Sequence, residues 1–167
     1  MKLTKVKTFV VQTPPPHSGG SFWFFVKLET DTGLVGWGET AVLGTLHGHE
    51  DSYETLVSQV FEGYLEGKNP IDRETLYHKM YDGMGVVSAI DIALWDITGK
   101  HFNTPVYNLL GGKYRDRVRT YTYIYDTEGS TTDMWTSGSE RIGEVAGRLA
   151  DEGFTGLKFD PLPQNTP

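Results

Sequence analysis

Residues 86–100 read as a helix with almost no polar face. Ala89, Ile90, Ile92, Ala93, Leu94, Trp95 and Ile97 are distributed around it, so it has to be buried on most sides rather than along a single stripe. Gly99-Lys100 makes a tight exit, Pro105 restarts the chain into a short helix over 106–110, and Gly111-Gly112 stops it. Any fold for this chain must wrap that helix.

Composition narrows the classes. A chain of 167 residues is long enough for an ordinary domain with a real core. The formal net charge of −7 argues against nucleic acid, whose phosphates need a basic patch. No apolar run is long enough to span a membrane, and the charged, alternating start Met1-Lys-Leu-Thr-Lys-Val-Lys lacks a signal-peptide core. Cysteine is absent, which excludes disulfides, thiolate metal sites and a thiol nucleophile. The expectation is a soluble, cytoplasmic protein with no nucleic-acid or membrane partner.

Along the chain, strands come first. Residues 2–11 alternate, with Val6, Thr8 and Val10 opposite Lys5, Lys7 and Phe9. Pro14-Pro-Pro-His-Ser-Gly-Gly20 forms a long loop. Residues 21–30 make a second strand, Asp31-Thr32-Gly33 a hairpin turn, and residues 34–39 a third strand. A loop over 42–49 precedes helical patterns over 50–64, 72–81, 86–100 and 106–110. Strands followed by helices predict an α+β domain over 1–113, an antiparallel three-stranded meander plus helices. Beyond it, residues 117–125 alternate as a strand. Ile142, Val145, Ala146, Leu149 and Ala150 give a helical stripe over 139–152, and 154–160 is another strand. This is one βαβ unit with an expected right-handed crossover. One such unit cannot bury both faces of its sheet. Residues 114–167 therefore read as the first piece of something larger, either a fragment or a chain completed by a partner. Unpartnered hydrophobic β-faces point to a homo-oligomer.

The string over 88–112, Ala-Ile-Asp-Ile-Ala-Leu-Trp-Asp followed by Leu-Leu-Gly-Gly, resembles a signature of the mandelate racemase and muconate lactonizing branch of the enolase superfamily. Gly36-Trp37-Gly38-Glu39 is a second, individually weaker trait of that branch. The resemblance covers nearly the whole chain. It implies an enolase-like N-terminal capping domain followed by the start of a (β/α) TIM-type barrel, truncated here. It also implies removal of the proton next to a substrate carboxylate, with Mg²⁺ and basic residues holding the enediolate charge, at the C-terminal ends of the barrel strands.

The branch usually ends its second barrel strand in Lys-x-Lys, and the matching residues here are Lys158-Phe159-Asp160. Alternation puts Thr155, Leu157 and Phe159 on one face, where they can pack on the Ile142/Val145/Leu149 stripe. Gly156, Lys158 and Asp160 take the other, barrel-facing side. Opposite charges on an interior face are costly unless paired or used. An inward structural ion pair is the alternative use. Asp160 cannot copy a basic lysine, so Lys158 is expected to bind or polarise the substrate carboxylate, with the base coming from elsewhere. The Lys-Phe-Asp-Pro ending resembles sugar-acid dehydratases of the branch, which lose water from an aldonic or aldaric acid. Racemase, epimerase or cycloisomerase chemistry stays open, as does a non-catalytic oligomerisation module. The Mg²⁺ ligands of the branch lie on the third to fifth barrel strands, which this sequence does not contain, so no metal ligand is assigned here.

Other residues carry weaker readings. His17 and Tyr125 are candidate substrate contacts, His17 from a lid-like loop and Tyr125 from the end of the face it shares with Tyr121 and Tyr123. His47 and His49 lack a nearby third ligand. Trp23, Phe24 and Phe25 are expected to pack the hairpin. Asp91 and Asp96 are expected to satisfy backbone or basic groups, with Asp96 and Lys100 an i,i+4 pair.

Overall fold

The alternating strands pair into one antiparallel sheet. In the computed structural model, which describes residues 1–13, 22–41, 50–81, 84–124 and 138–159, β1 (Leu3–Gln12), β2 (Phe22–Thr30) and β3 (Val35–Ala41) lie in the order β1-β2-β3. Val6 faces Leu28 and Thr8 faces Val26 across β1 and β2. Phe24, Val26 and Leu28 are wholly buried on the inner face. The hairpin between β2 and β3 turns through Gly33, whose N–H reaches the Thr30 carbonyl at 3.1 Å.

Among the described residues four α-helices follow: α1 (Glu50–Val60), α2 (Arg73–Met80), α3 (Met84–His101) and α4 (Val106–Leu109). The pattern over 50–64 predicts one α-helix. The structure instead widens α1 into a single π turn over Phe61–Leu65, closed by the Glu66 N–H on the Phe61 carbonyl at 2.9 Å. The wider turn keeps both Phe61 and Leu65 in the core.

The central apolar helix, α3, lies on β2 and β3. Val86, Ala89, Ile90, Ala93, Leu94 and Ile97 are fully buried. One strip stays open, with Ile92 48% exposed between Ser88 and Lys100. The approach to β3 is backbone to backbone. A Cβ on Gly36 would lie 2.1 Å from the Ala93 carbonyl oxygen, and one on Gly38 would lie 1.7 Å from that of Ala89. Glycines at alternate positions of the strand thus meet alanines one helical turn apart.

The sequence places the helix exit at Gly99-Lys100. The structure carries α3 through both to His101 and turns at Asn103, whose φ is 50°. Asparagine tolerates that left-handed conformation better than most side chains. Gly99 serves close packing instead, since a Cβ there would lie 2.9 Å from the Thr104 carbonyl oxygen.

By internal contact the described residues divide into two units, one ending at Lys113 and one beginning at Tyr114. The second holds β4 (Thr122–Tyr123), α5 (Gly138–Asp151) and β5 (Leu157–Lys158), with β4 and β5 parallel. Both strands are far shorter than the patterns over 117–125 and 154–160 suggest. A parallel pair is stabilised by neighbours on both faces, and among the described residues this one is covered by α5 alone. Its core is Ile124, Val145 and Leu149, with Ile142, Ala146 and Phe154 packed against it.

Leu157 and Phe159, expected to pack on the α5 stripe, stay 36% and 45% exposed. Phe154 is the partly buried aromatic residue packed on that core. The chain turns back right after α5, with the Phe154 N–H on the Leu149 carbonyl at 3.1 Å, so Phe154 is the first apolar residue to meet the last helical turn. Among the described residues no helix is long and apolar enough to cross a membrane.

Candidate active site

The β4–β5 ladder positions the lysine singled out in the sequence. Thr122 pairs with Leu157 and Tyr123 with Lys158. The Thr122 N–H donates to the Gly156 carbonyl at 3.3 Å, and the Ile124 N–H donates to the Lys158 carbonyl at 3.0 Å. Ile124 turns toward Val145 and Leu149 of α5. Alternation then sends Tyr121, Tyr123, Gly156 and Lys158 to the other face, as expected for Gly156 and Lys158. On that face the Lys158 Nζ stands over the Tyr123 ring, 4.5 Å from its centroid. A Cβ on Gly156 would come 3.1 Å from the Tyr121 Cβ, so the glycine makes room for that tyrosine. At the entry end of the ladder, the Arg119 Nε donates to the Thr155 hydroxyl at 2.7 Å and its Nη2 to the Thr155 carbonyl.

Lys158 is the last residue of β5, so its ammonium stands at the C-terminal end of a parallel pair, where α/β folds gather their chemistry. The negative face of a tyrosine ring attracts an ammonium without neutralising it. The sequence named three tyrosines on this face and singled out Tyr125. The partner that emerges is Tyr123, and it was legible only through the parallel register. Asp160, Tyr125 and His17 lie outside the described residues, as do His47 and His49. Among the described residues no group of three His, Asp or Glu side chains is placed to hold a metal ion.

The carboxylates of α3 are architectural. Asp96 Oδ2 accepts from the Trp37 backbone N–H at 2.9 Å and from Lys100 Nζ at 2.7 Å, while Lys100 also donates to the Val35 carbonyl at 2.8 Å. The helix thereby caps the outer edge of β3. Asp91 accepts from Arg73 Nη1 at 2.8 Å, and that guanidinium lies 4.2 Å from the centre of the Trp95 ring. Arg73, missed in the sequence, ties α2 to α3. The hairpin aromatics pack as expected, with Phe24 against Tyr53 and Trp23 beside Phe25. On the outer face of the sheet, Glu29 accepts from Lys27 at 2.9 Å and lies 3.5 Å from Lys7. The Lys27 hydrogen bond holds its carboxyl below the usual carboxylate range, against a smaller opposing effect of burial.

A family model for the N-terminal domain of mandelate racemase / muconate lactonizing enzyme matches residues 8–111. The chain belongs to that family. It is 35% identical to a D-galactonate dehydratase of Verminephrobacter eiseniae, over 96% of this chain and 38% of that protein. Among solved structures, a mandelate racemase/muconate lactonizing enzyme from Sulfitobacter sp. is 37% identical with a TM-score of 0.83, over 96% of this chain and 42% of that one. An enolase from Agrobacterium radiobacter, bound to Na and L-malate, is 30% identical with a TM-score of 0.65, over 75% of this chain and 31% of that one. The mandelate racemase fold thus accounts for both units: a capping domain of meander and helices, then the opening of a barrel. The chain spans 38% of the length of the curated relative it matches.

Proposed function

We propose that this chain is the N-terminal portion of a sugar-acid dehydratase, a hydro-lyase of the mandelate racemase type. The single observation that carries the reading is Lys158, an ammonium at the end of β5 on the face turned away from α5, in a chain that aligns over nearly all its length with D-galactonate dehydratases. A small carboxylate suits that group, and the Agrobacterium relative holds one, L-malate.

In this reading Lys158 keeps its proton and binds the substrate carboxylate. As the neighbouring carbon loses its proton, negative charge grows on that carboxylate, and a fixed ammonium stabilises the developing charge more than the starting charge. The hydroxyl on the next carbon then leaves, taking up a proton equivalent to the one the base removed and departing as water, and the resulting enol tautomerises to a 2-keto-3-deoxy acid. Asp160 is a further catalytic candidate in this reading, His17 contacts a sugar hydroxyl, Tyr125 contacts the substrate, and Lys158 is not the base. Mg²⁺ is the metal this family membership implies; when bound it would neutralise enediolate charge. The enzyme works as a homo-oligomer.

The test is a polypeptide that carries this sequence through a complete barrel, incubated with Mg²⁺ and a panel of aldonic and aldaric acids. The expected product is a 2-keto acid, detected as its semicarbazone. Lys158→Met is expected to lower kcat/KM by roughly ten- to a hundredfold, the size of a lost charged hydrogen bond. Product that keeps all its hydroxyls with one centre inverted overturns the reading in favour of a racemase or epimerase.

A further inference from the structure

We propose that Tyr123 is the positioning residue for Lys158. It would hold the ammonium at the end of β5 through its ring face and so set how tightly a substrate carboxylate is bound. The inference deepens, and rests on, the dehydratase reading given above.

Three observations support it. Tyr123 and Lys158 are direct partners in the parallel ladder, so their side chains leave adjacent strands at the same level. Nζ lies 4.5 Å from the ring centroid, within the range where the ring quadrupole attracts a cation. The Ile124 N–H holds the Lys158 carbonyl at 3.0 Å, which fixes the lysine backbone from the same strand that carries the ring.

A lysine side chain has four rotatable bonds, and ordering it for an incoming anion has an entropic cost. The aromatic face narrows the range of positions the ammonium takes up. The tyrosine hydroxyl plays no part in that attraction, so phenylalanine is expected to serve as well and an aliphatic residue is not.

The test has two arms. In the 167-residue chain, NMR of labelled lysine reads the ε-methylene protons of Lys158. They are expected upfield of the other lysines because of the ring current. The shift is expected to be kept in Tyr123→Phe and lost in Tyr123→Leu. Tyr123→Thr, a residue strands accept readily, is the second variant if leucine disturbs the ladder, with circular dichroism as the check. In the barrel-containing polypeptide, Tyr123→Leu is expected to raise KM for the sugar acid by about three- to tenfold with a smaller change in kcat, and Tyr123→Phe to restore it. A Lys158 signal without upfield shift in the unsubstituted chain overturns the proposal. So does an unchanged KM in a Tyr123→Leu variant that has lost the shift. Failure of the dehydratase reading shows separately, as absent turnover by the unsubstituted protein, and the ring-current arm then decides alone whether Tyr123 holds the ammonium.

Discussion

The two units use glycine against a neighbouring element in opposite ways. At Gly36 and Gly38 the strand backbone lies directly on the backbone of α3, with no room for one more carbon. At Gly156 the nearest neighbour of an added carbon is the Cβ of Tyr121, at 3.1 Å. The first unit is closed around a helix with six fully buried apolar residues, while the second rests on three core residues and a ladder two residues long. Close packing transmits a misfit into rigid backbone. A partly covered sheet face absorbs it by small shifts of side chains.

The same substitution in both places tests this contrast. Gly38→Ala forces β3 and α3 apart, because the obstacle is a helical carbonyl. The expected loss is more than about 3 kcal/mol, at or beyond the upper end of ordinary overpacking. Gly156→Ala is expected to stay within about 1 kcal/mol of the unsubstituted chain, since a slight clash is offset by a less flexible unfolded state. Urea unfolding of both variants checks it. Equal midpoints would break the comparison.

The contrast also explains what could be read in advance. The meander was legible because burial on one side imposes a period, as in Phe24, Val26 and Leu28, and the α3 core because its apolar residues run almost all round the helix; Asp96 was legible from its i,i+4 spacing to Lys100. Gly36 and Gly38 were visible as a motif, but their reason was not, since a close approach is a property of two segments distant in the chain. Gly99 misled because a glycine near a helix end also fits a terminator, and Asn103 took that role. In the second unit, alternation over 117–125 and 154–160 overstated the strands, because a pattern records which residues could pair and not whether neighbours are there to hold them. At the site, the face of Lys158 followed from alternation, while its pairing with Tyr123 required the register between two strands.

A smaller effect is expected at the edge of the sheet. Asp96→Ala removes the acceptor of the Trp37 N–H and the partner of Lys100 together. The site is about one-third exposed, so water replaces part of what is lost, and the expected cost is about 1 kcal/mol. Asp96→Asn keeps an acceptor for the N–H and is expected to recover most of it. Hydrogen exchange of the Trp37 amide gives a local reading, faster in the alanine variant and near normal in the asparagine one. An unchanged exchange rate in Asp96→Ala would show that the closed character of the first unit does not extend to its β3 edge.

The smallest effect belongs to the outer face of the same sheet, where the partly buried Glu29 meets Lys27 and Lys7. Its carboxyl titrates below the ordinary carboxylate value, chiefly because Lys27 donates to it. A group with a lowered pKa in the folded state adds stability above its unfolded value, about 4.3 for glutamate, and loses that contribution as pH falls through the folded value. Glu29→Gln is therefore expected to lower stability slightly at neutral pH and to converge on the unsubstituted chain in acid, which flattens the acid side of the curve. Thermal unfolding from about pH 6 down to about pH 3 reads this, and high salt is expected to shrink the difference as far as ions reach the partly buried pair. A neutral-pH loss as large as that of Asp96→Ala would mean that the exposed face of the sheet contributes as much as its helix-capped edge.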